Sequence, residues 1–173
     1  MSEVIVYGAG AWGTALAIHA ARLGHQVTLW ARDANRAAEM QQARVNTRLL
    51  PGASFPEGLR VTHDMAPPKE ARLGILGVPM QPLRDVLGAL PKGVPPLLLV
   101  CKGLEADTLR LPLEVVAEAC PQADVVLLHA DGRCEDVVMG SDAAAGQRVQ
   151  CVVPGGCWQA GHMVAGGRYS LFG

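Results

Sequence analysis

The chain has 173 residues, 50% of them hydrophobic, 18% charged and only 4% aromatic. That is too apolar for a disordered chain and long enough for one domain with an appendage. Lys and Arg number 15 against 16 Asp and Glu, a formal net charge of -1, so the basic excess of a nucleic-acid binder is missing.

Val4-Ile5-Val6-Tyr7 is the first strand-sized apolar run. Trp12 to Leu23 is rich in Ala and Leu, holds no Pro and is followed by Gly24. It predicts a helix with a glycine stop. Val27 to Trp30 is a second strand, and Asp33 or Asn35 can cap a helix over Arg36 to Arg44. Leu73 to Val78 is a third strand. Gln81 to Leu90 is helical, with Pro82 in its permitted first turn. Leu97 to Cys101, Leu111 to Ala119 and Val125 to Leu128 complete the series as strand, helix and strand. The strands are unbroken apolar runs, which suits a parallel sheet covered on both faces. Alternation of strand and helix predicts a doubly wound, mainly parallel α/β fold of the Rossmann type over residues 1–128.

After about residue 130 the pattern changes. Val137-Val138-Met139, Val149 to Val153 and Tyr169 to Phe172 are short strand candidates, separated by Asp131-Gly132, Gly155-Gly156 and Gly166-Gly167. They predict a short C-terminal β appendage over 129–173, with a boundary near 121–124. No apolar run approaches the roughly 20 residues of a membrane helix, so no membrane span is expected. The N-terminus shows no basic segment or cleavage pattern. The five cysteines, Cys101, Cys120, Cys134, Cys151 and Cys157, contain no CxxC pair. A cytoplasmic setting is the expectation.

The chemistry-bearing motif is Gly8-Ala9-Gly10-Ala11-Trp12-Gly13, a G-x-G-x-x-G between a predicted strand and a predicted helix. Gly8 permits the tight turn, Gly10 lets the backbone approach a pyrophosphate, and Gly13 lets helix and strand pack closely. The helix start offers unpaired N–H groups to the phosphates. The motif therefore points to NAD or NADP. Trp30-Ala31-Arg32-Asp33 ends the second strand, with Asp33 standing 20 residues after Gly13. An acidic residue there holds the ribose hydroxyl of NAD, whereas an Arg can pair with the 2′-phosphate of NADP. Both are present, and the choice stays open.

Other constellations carry less. His19, His25, His63, His129 and His162 show no metal-site spacing, so no metal is expected. His129 with Cys134 reads as a strand end and a turn thiol. Asp131, Glu135 and Asp136 read as a solvated hairpin, and Trp158 as a packing anchor. Ser141 and Ser170 have no base beside them in sequence.

Several segments together resemble the opening of bacterial-type NAD(P)-dependent sn-glycerol-3-phosphate dehydrogenase. They are residues 8–17, Gly24-His25 and Val27 to Asp33, then Asn46-Thr47-Arg48-Leu49-Leu50-Pro51-Gly52 and Val78-Pro79-Met80-Gln81. Cys101-Lys102-Gly103-Leu104-Glu105 and Leu111 to Val115 extend the likeness, which covers about residues 3–122. The resemblance implies hydride transfer between a nicotinamide cofactor and dihydroxyacetone phosphate or glycerol 3-phosphate, feeding phospholipid synthesis. It implies that Ala11 and Trp12 lie against the cofactor, that Arg32 sits near its adenosine end, and that Lys102 reaches cofactor and substrate. Leu49 departs from the family, which often has an aromatic residue in this stretch.

The family's helical substrate domain, with its catalytic lysine, is not recognisable after residue 122. Residues 129–173 instead resemble the later part of the cupins known as DUF985, in Asp131-Gly132-Arg133, Ala145 to Arg148, Val152 to Ala160 and Gly167 to Leu171. A complete cupin is a closed jelly roll. The tail is thus expected to be an incomplete jelly-roll fragment whose exposed β edges favour self-association. Two unrelated pieces meet near residue 123, by fusion, deletion, assembly or design. The expected function is NAD(P) binding as a catalytically incomplete part of a glycerol-3-phosphate dehydrogenase. The alternative is a non-enzymatic NAD(P)-binding or self-associating module.

Overall fold

Six parallel strands frame the computed structural model, which describes residues 2–126. In chain order they are β1 (Glu3–Tyr7), β2 (Gln26–Trp30), β5 (Leu59–Thr62), β6 (Ala71–Leu76), β7 (Leu97–Leu99) and β8 (Val125–Val126). They lie side by side in the order β5-β2-β1-β6-β7-β8. Tyr7 is in register with Trp30 on one side and with Leu76 on the other. Four helices connect them: α1 (Ala11–Arg22), α2 (Ala34–Ala43), α3 (Leu83–Ala89) and α4 (Pro112–Ala119). A small antiparallel hairpin, β3 (Val45–Asn46) with β4 (Leu50–Ser54), follows α2.

The run Val4 to Tyr7 is apolar throughout because both of its faces are buried. Val4 and Val6 pack with Ala17, Ile18, Ala21, Leu29 and Met40 under α1 and α2. Ile5 and Tyr7 point the other way, to Leu76, Leu83, Leu87, Val115 and Val116 under α3 and α4. Each buried Val, Leu, Ile or Met among them contributes about 1.5–3 kcal/mol by leaving water. α1 buries Gly13, Thr14, Ala17, Ile18 and Ala21, the stripe expected of 3.6-residue periodicity. Gly24, at φ +89°, makes the left-handed turn that stops it. Asp33 caps α2 by accepting from the Arg36 N–H at 2.7 Å.

The doubly wound, parallel sheet expected from the sequence is the observed fold. Three elements were not expected: β3, β4 and β5. β5 has only four residues and alternates, with Leu59 and Val61 buried and Arg60 exposed, because it is an edge strand. The crossover from β5 to β6 holds no helix. Two ring donors at the ends of β1 and β2 pin it instead: Trp30 Nε1 donates to the His63 carbonyl at 3.0 Å and Tyr7 Oη to that of Met65 at 3.4 Å. Pro82 and Leu111 stand one position outside their helices, as N-caps of α3 and α4. Gly77 and Val78 lie beyond β6, and Val100 and Cys101 beyond β7.

Because the strands are parallel, the glycine loop after β1, Arg32 after β2 and Lys102 after β7 all emerge at one edge of the sheet. Among the described residues, no helix is long and apolar enough to cross a membrane. The expectations for 129–173, including its strands, its edges, the His129–Cys134 pair, the Asp131 cluster and Trp158, lie outside the described residues.

Candidate functional site

The glycine loop is built by two different demands. Gly8 sits at φ +115°, and a Cβ there would meet the Gly77 carbonyl oxygen at 2.8 Å. A Cβ on Gly13 would lie 2.0 Å from the Gly8 carbonyl oxygen. Both positions are glycine because the fold leaves no room. Gly10 is different. Its φ of -69° suits any residue, and a Cβ built there meets nothing within 4 Å. The protein itself does not require glycine at this point, whereas a ligand whose phosphates approach the backbone does.

Gly10 is also the N-cap of α1, and no side chain caps the helix. The Thr14 N–H is satisfied by the Gly10 carbonyl at 2.9 Å. The N–H groups at Ala11, Trp12 and Gly13 are therefore the open donors of the helix start, carrying the positive end of its dipole. No acidic residue occupies the first turn. Ala11 is exposed and Trp12 is 51% exposed, so the indole flanks the opening without filling it. These features fit a pyrophosphate.

Asn46 locks the loop from below, a role the sequence did not reveal. Its side chain is buried. Nδ2 donates to the Ala9 carbonyl at 3.1 Å and to Thr14 Oγ1 at 2.9 Å. Its Oδ1 accepts from the Leu49 N–H at 3.3 Å and from Arg36 at 3.4 Å. Arg36 also reaches the Ala9 carbonyl at 3.3 Å. An open cavity of about 390 Å³ adjoins this point, between the start of α2 and the turn after β3, with Asp33, Arg36, Asn46 and Arg48 in its wall. Its size is that of a small-molecule site.

The remaining expected residues lie around this edge. Arg32 and Asp33 are both exposed, but one Asp33 oxygen is engaged in capping α2. Lys102 is exposed and is followed by Gly103 at φ +98°. Leu49 is 40% exposed. β2 pairs directly with β1 and β7 lies two strands away on the other side, so the sheet brings the glycine loop, Arg32 and Lys102 to one rim, with Arg32 and Lys102 on opposite sides of the loop. Three strand spacings, roughly 14 Å at ~4.8 Å each, separate the ends of β2 and β7.

Beyond Lys102 lies a second feature that sequence reasoning missed. Glu105 is buried, and the Arg84 guanidinium and the Thr108 hydroxyl hold its carboxyl down at about 2. Its partner Arg84 comes from α3, 21 residues earlier, a distance that no local motif spans. Burial pushes the Cys101 and Cys120 thiols up, so both are protonated and poor nucleophiles. Among the described residues, no group of three or more His, Cys, Asp or Glu could hold a metal ion.

Residues 3–141 match the family described as NAD-dependent glycerol-3-phosphate dehydrogenase N-terminus, and residues 119–173 match the Cupin superfamily (DUF985). Over 124 residues the chain is 48% identical to a glycerol-3-phosphate dehydrogenase [NAD(P)+] of Acidovorax sp. (strain JS42), covering 69% of this chain and 38% of that protein. A relative of the same name from Roseobacter denitrificans is 42% identical, with 82% and 45% covered. The crystal structure of glycerol-3-phosphate dehydrogenase from Coxiella burnetii superposes with a TM-score of 0.64 at 34% identity, over 72% of this chain and 39% of that one. The chain thus spans less than half the length of these relatives.

Proposed function

The chain belongs to the glycerol-3-phosphate dehydrogenase family through its NAD-binding N-terminal domain, and from that premise we propose how its own residues serve NAD or NADP. The pyrophosphate lies on the open N–H groups at Ala11, Trp12 and Gly13, in the space that Gly10 leaves free. Gly8 and Gly13 hold the turn that aims those groups. Arg32 and Asp33, after β2, take the adenosine end. Lys102, after β7, takes the nicotinamide side as a point charge suited to a phosphate oxygen. The single observation that carries this reading is Gly10, a glycine with no steric reason inside the protein.

The bound nicotinamide supplies the hydride. The substrate is dihydroxyacetone phosphate, or glycerol 3-phosphate in reverse. Reduction of a carbonyl also needs a proton donor within hydrogen-bond reach of its oxygen. We assign residues 2–126 to cofactor binding and give none of them that donor role. The match of 119–173 to a cupin supports this division of labour. The reading includes a cytoplasmic setting, which suits the free thiols of Cys101 and Cys120.

The test pairs two measurements on the purified chain. Titration with NADH and NADPH is expected to give saturable binding. Oxidation of NADH by dihydroxyacetone phosphate is expected to be orders of magnitude slower than for a full-length relative assayed alongside. Turnover equal to that relative would overturn the incomplete-catalyst part of the proposal. Absence of binding would overturn the cofactor assignment.

A further inference from the structure

The loop that carries Lys102 is clamped on its far side. Gln81, just before the N-cap of α3, and Arg84, in its first turn, reach across to it. The Gln81 amide straddles Glu105: Nε2 donates to the Leu104 carbonyl at 3.1 Å and Oε1 accepts from the Ala106 N–H at 3.0 Å. Arg84 meets the Glu105 carboxylate as a fork, Nε to Oε1 at 2.7 Å and Nη2 to Oε2 at 2.8 Å. Thr108 Oγ1 donates to Oε2 as well. Arg84 Nη2 also reaches Glu118 on α4 at 3.1 Å. The Glu105 N–H donates to the Arg110 carbonyl and the Leu109 N–H to the Glu105 carbonyl, at 2.9 and 2.8 Å, closing the loop on itself.

This arrangement inverts ordinary sorting. Glu105 is 7% exposed, while Leu104 and Leu109 are 47% and 70% exposed. Leu109 sits at φ +56°, a left-handed conformation unfavourable for leucine. Arg84, the partner of Glu105, stays 35% exposed, and so solvated an ion pair contributes little stability. What it does give is a defined chain path. With Leu97–Leu99 fixed in the sheet and 104–106 fixed on α3, the residues between are tethered at both ends, and Lys102 is among them.

We propose that Gln81, Arg84 and Glu105 are positioning residues for Lys102, holding its ammonium at the rim of the sheet on the nicotinamide side of the cofactor cradle. The inference rests on the cofactor role given to Lys102 above. Strand order supports the side: with the adenosine end over β2, the other half of the dinucleotide runs toward β6 and β7.

The test is a double-mutant cycle on the full chain, read with two ligands. NADH and 5′-AMP, which carries only the adenosine end, are titrated against the unmodified chain, Lys102→Met, Glu105→Gln and the double variant, with a melting curve for each. Lys102→Met is expected to weaken NADH roughly tenfold, the order of one charge-assisted hydrogen bond, and to leave 5′-AMP unchanged. Glu105→Gln is expected to weaken NADH selectively too, and the double variant to be no worse than Lys102→Met alone. Gln81→Leu leaves the ion pair intact and is expected to show the same selective loss; it carries the test if Glu105→Gln does not fold. Additive losses, parallel loss of 5′-AMP, or no effect of the clamp variants would overturn the clamp while leaving Lys102 its role. An unaffected NADH affinity in Lys102→Met would overturn the role given to Lys102 and the clamp with it, and no NADH binding by the unmodified chain would overturn the cofactor reading as a whole.

Discussion

Asn46 Nδ2 stands 2.9 Å from Thr14 Oγ1, in a place where Asn46 is 1% and Thr14 0% exposed. One amide thereby ties the β3–β4 hairpin to the first turn of α1 and, through the Ala9 carbonyl, to the glycine loop. Asn46→Ala would take the donor from the Thr14 hydroxyl in a dry site and leave the Ala9 carbonyl with Arg36 alone. The expected cost is about 1–3 kcal/mol, seen as a melting temperature lower by roughly 3–15 °C. Calorimetry showing no change would contradict the lock.

Two glycines of one motif are expected to respond in opposite ways. Gly13→Ala drives a Cβ against the Gly8 carbonyl oxygen, and the expected loss is about 3 kcal/mol or more, because backbone cannot yield as a side chain can. Gly10→Ala meets nothing and costs less than about 1 kcal/mol, the difference between Gly and Ala at an N-cap. Urea midpoints of the two variants, measured side by side, check the contrast. Equal destabilisation would mean that Gly10 also serves the fold.

Much of this was legible in the sequence where the signal was local. Val4 to Tyr7 followed at once by the glycine loop announces its strand, turn and helix within twenty residues, and Gly24 and Asp33 mark the ends of α1 and α2 by their own chemistry. β5 was hidden because Leu59-Arg60-Val61-Thr62 is short and alternating, the opposite of the buried runs that betray the central strands. Asn46 was hidden for another reason. It lies 32 residues from Thr14 and 37 from Ala9, and its function exists only once the hairpin folds back. Glu105 entered only as the last residue of the stretch Cys101 to Glu105, because its partner Arg84 stands 21 residues earlier and is brought to it by α3. Asp33 was legible as a cap, and its Arg36 bond confirms that role.

Acid is expected to loosen the clamp. The Arg84 guanidinium, then the Thr108 hydroxyl, hold the Glu105 carboxyl at about 2, below its ordinary 4.5. A depressed acid stabilises the fold above its ordinary value and loses that contribution as pH falls toward the folded value. The melting temperature should therefore fall more steeply between about pH 4.5 and 2 in the unmodified chain than in Glu105→Gln. Identical acid limbs would contradict the coupling.

The alkaline limb has its own marker. Burial pushes the Tyr7 hydroxyl up to about 12 from 10.0, so the fold favours the neutral phenol. That contribution is present below pH 10 and is lost as pH rises through 12. Tyr7→Phe should lack this loss, and its melting temperature should change less between pH 10 and 12. A parallel decline in both proteins would show that Tyr7 is not the group responsible.

At the end of β2, Asp33 has an oxygen committed to the α2 cap, which leaves Arg32 as the exposed charge for a 2′-phosphate. Arg32→Ala is expected to weaken NADPH roughly tenfold more than NADH. Asp33→Ala is expected to cost about 0.5–2 kcal/mol of stability through the lost cap. Fluorescence titrations with both dinucleotides check the first statement, and equal losses for the two would contradict it.

The most direct test of the cofactor cradle is NADH binding to the unmodified chain and to Gly10→Val, followed by nicotinamide fluorescence with a melting curve for each. Saturable binding by the first is expected, and at least a tenfold weaker affinity in the second, with a melting temperature lowered by no more than a few degrees through the poorer N-cap. Gly10→Val binding NADH as tightly as the unmodified chain would contradict the cradle, because the space above Gly10 would then not be where the phosphates lie.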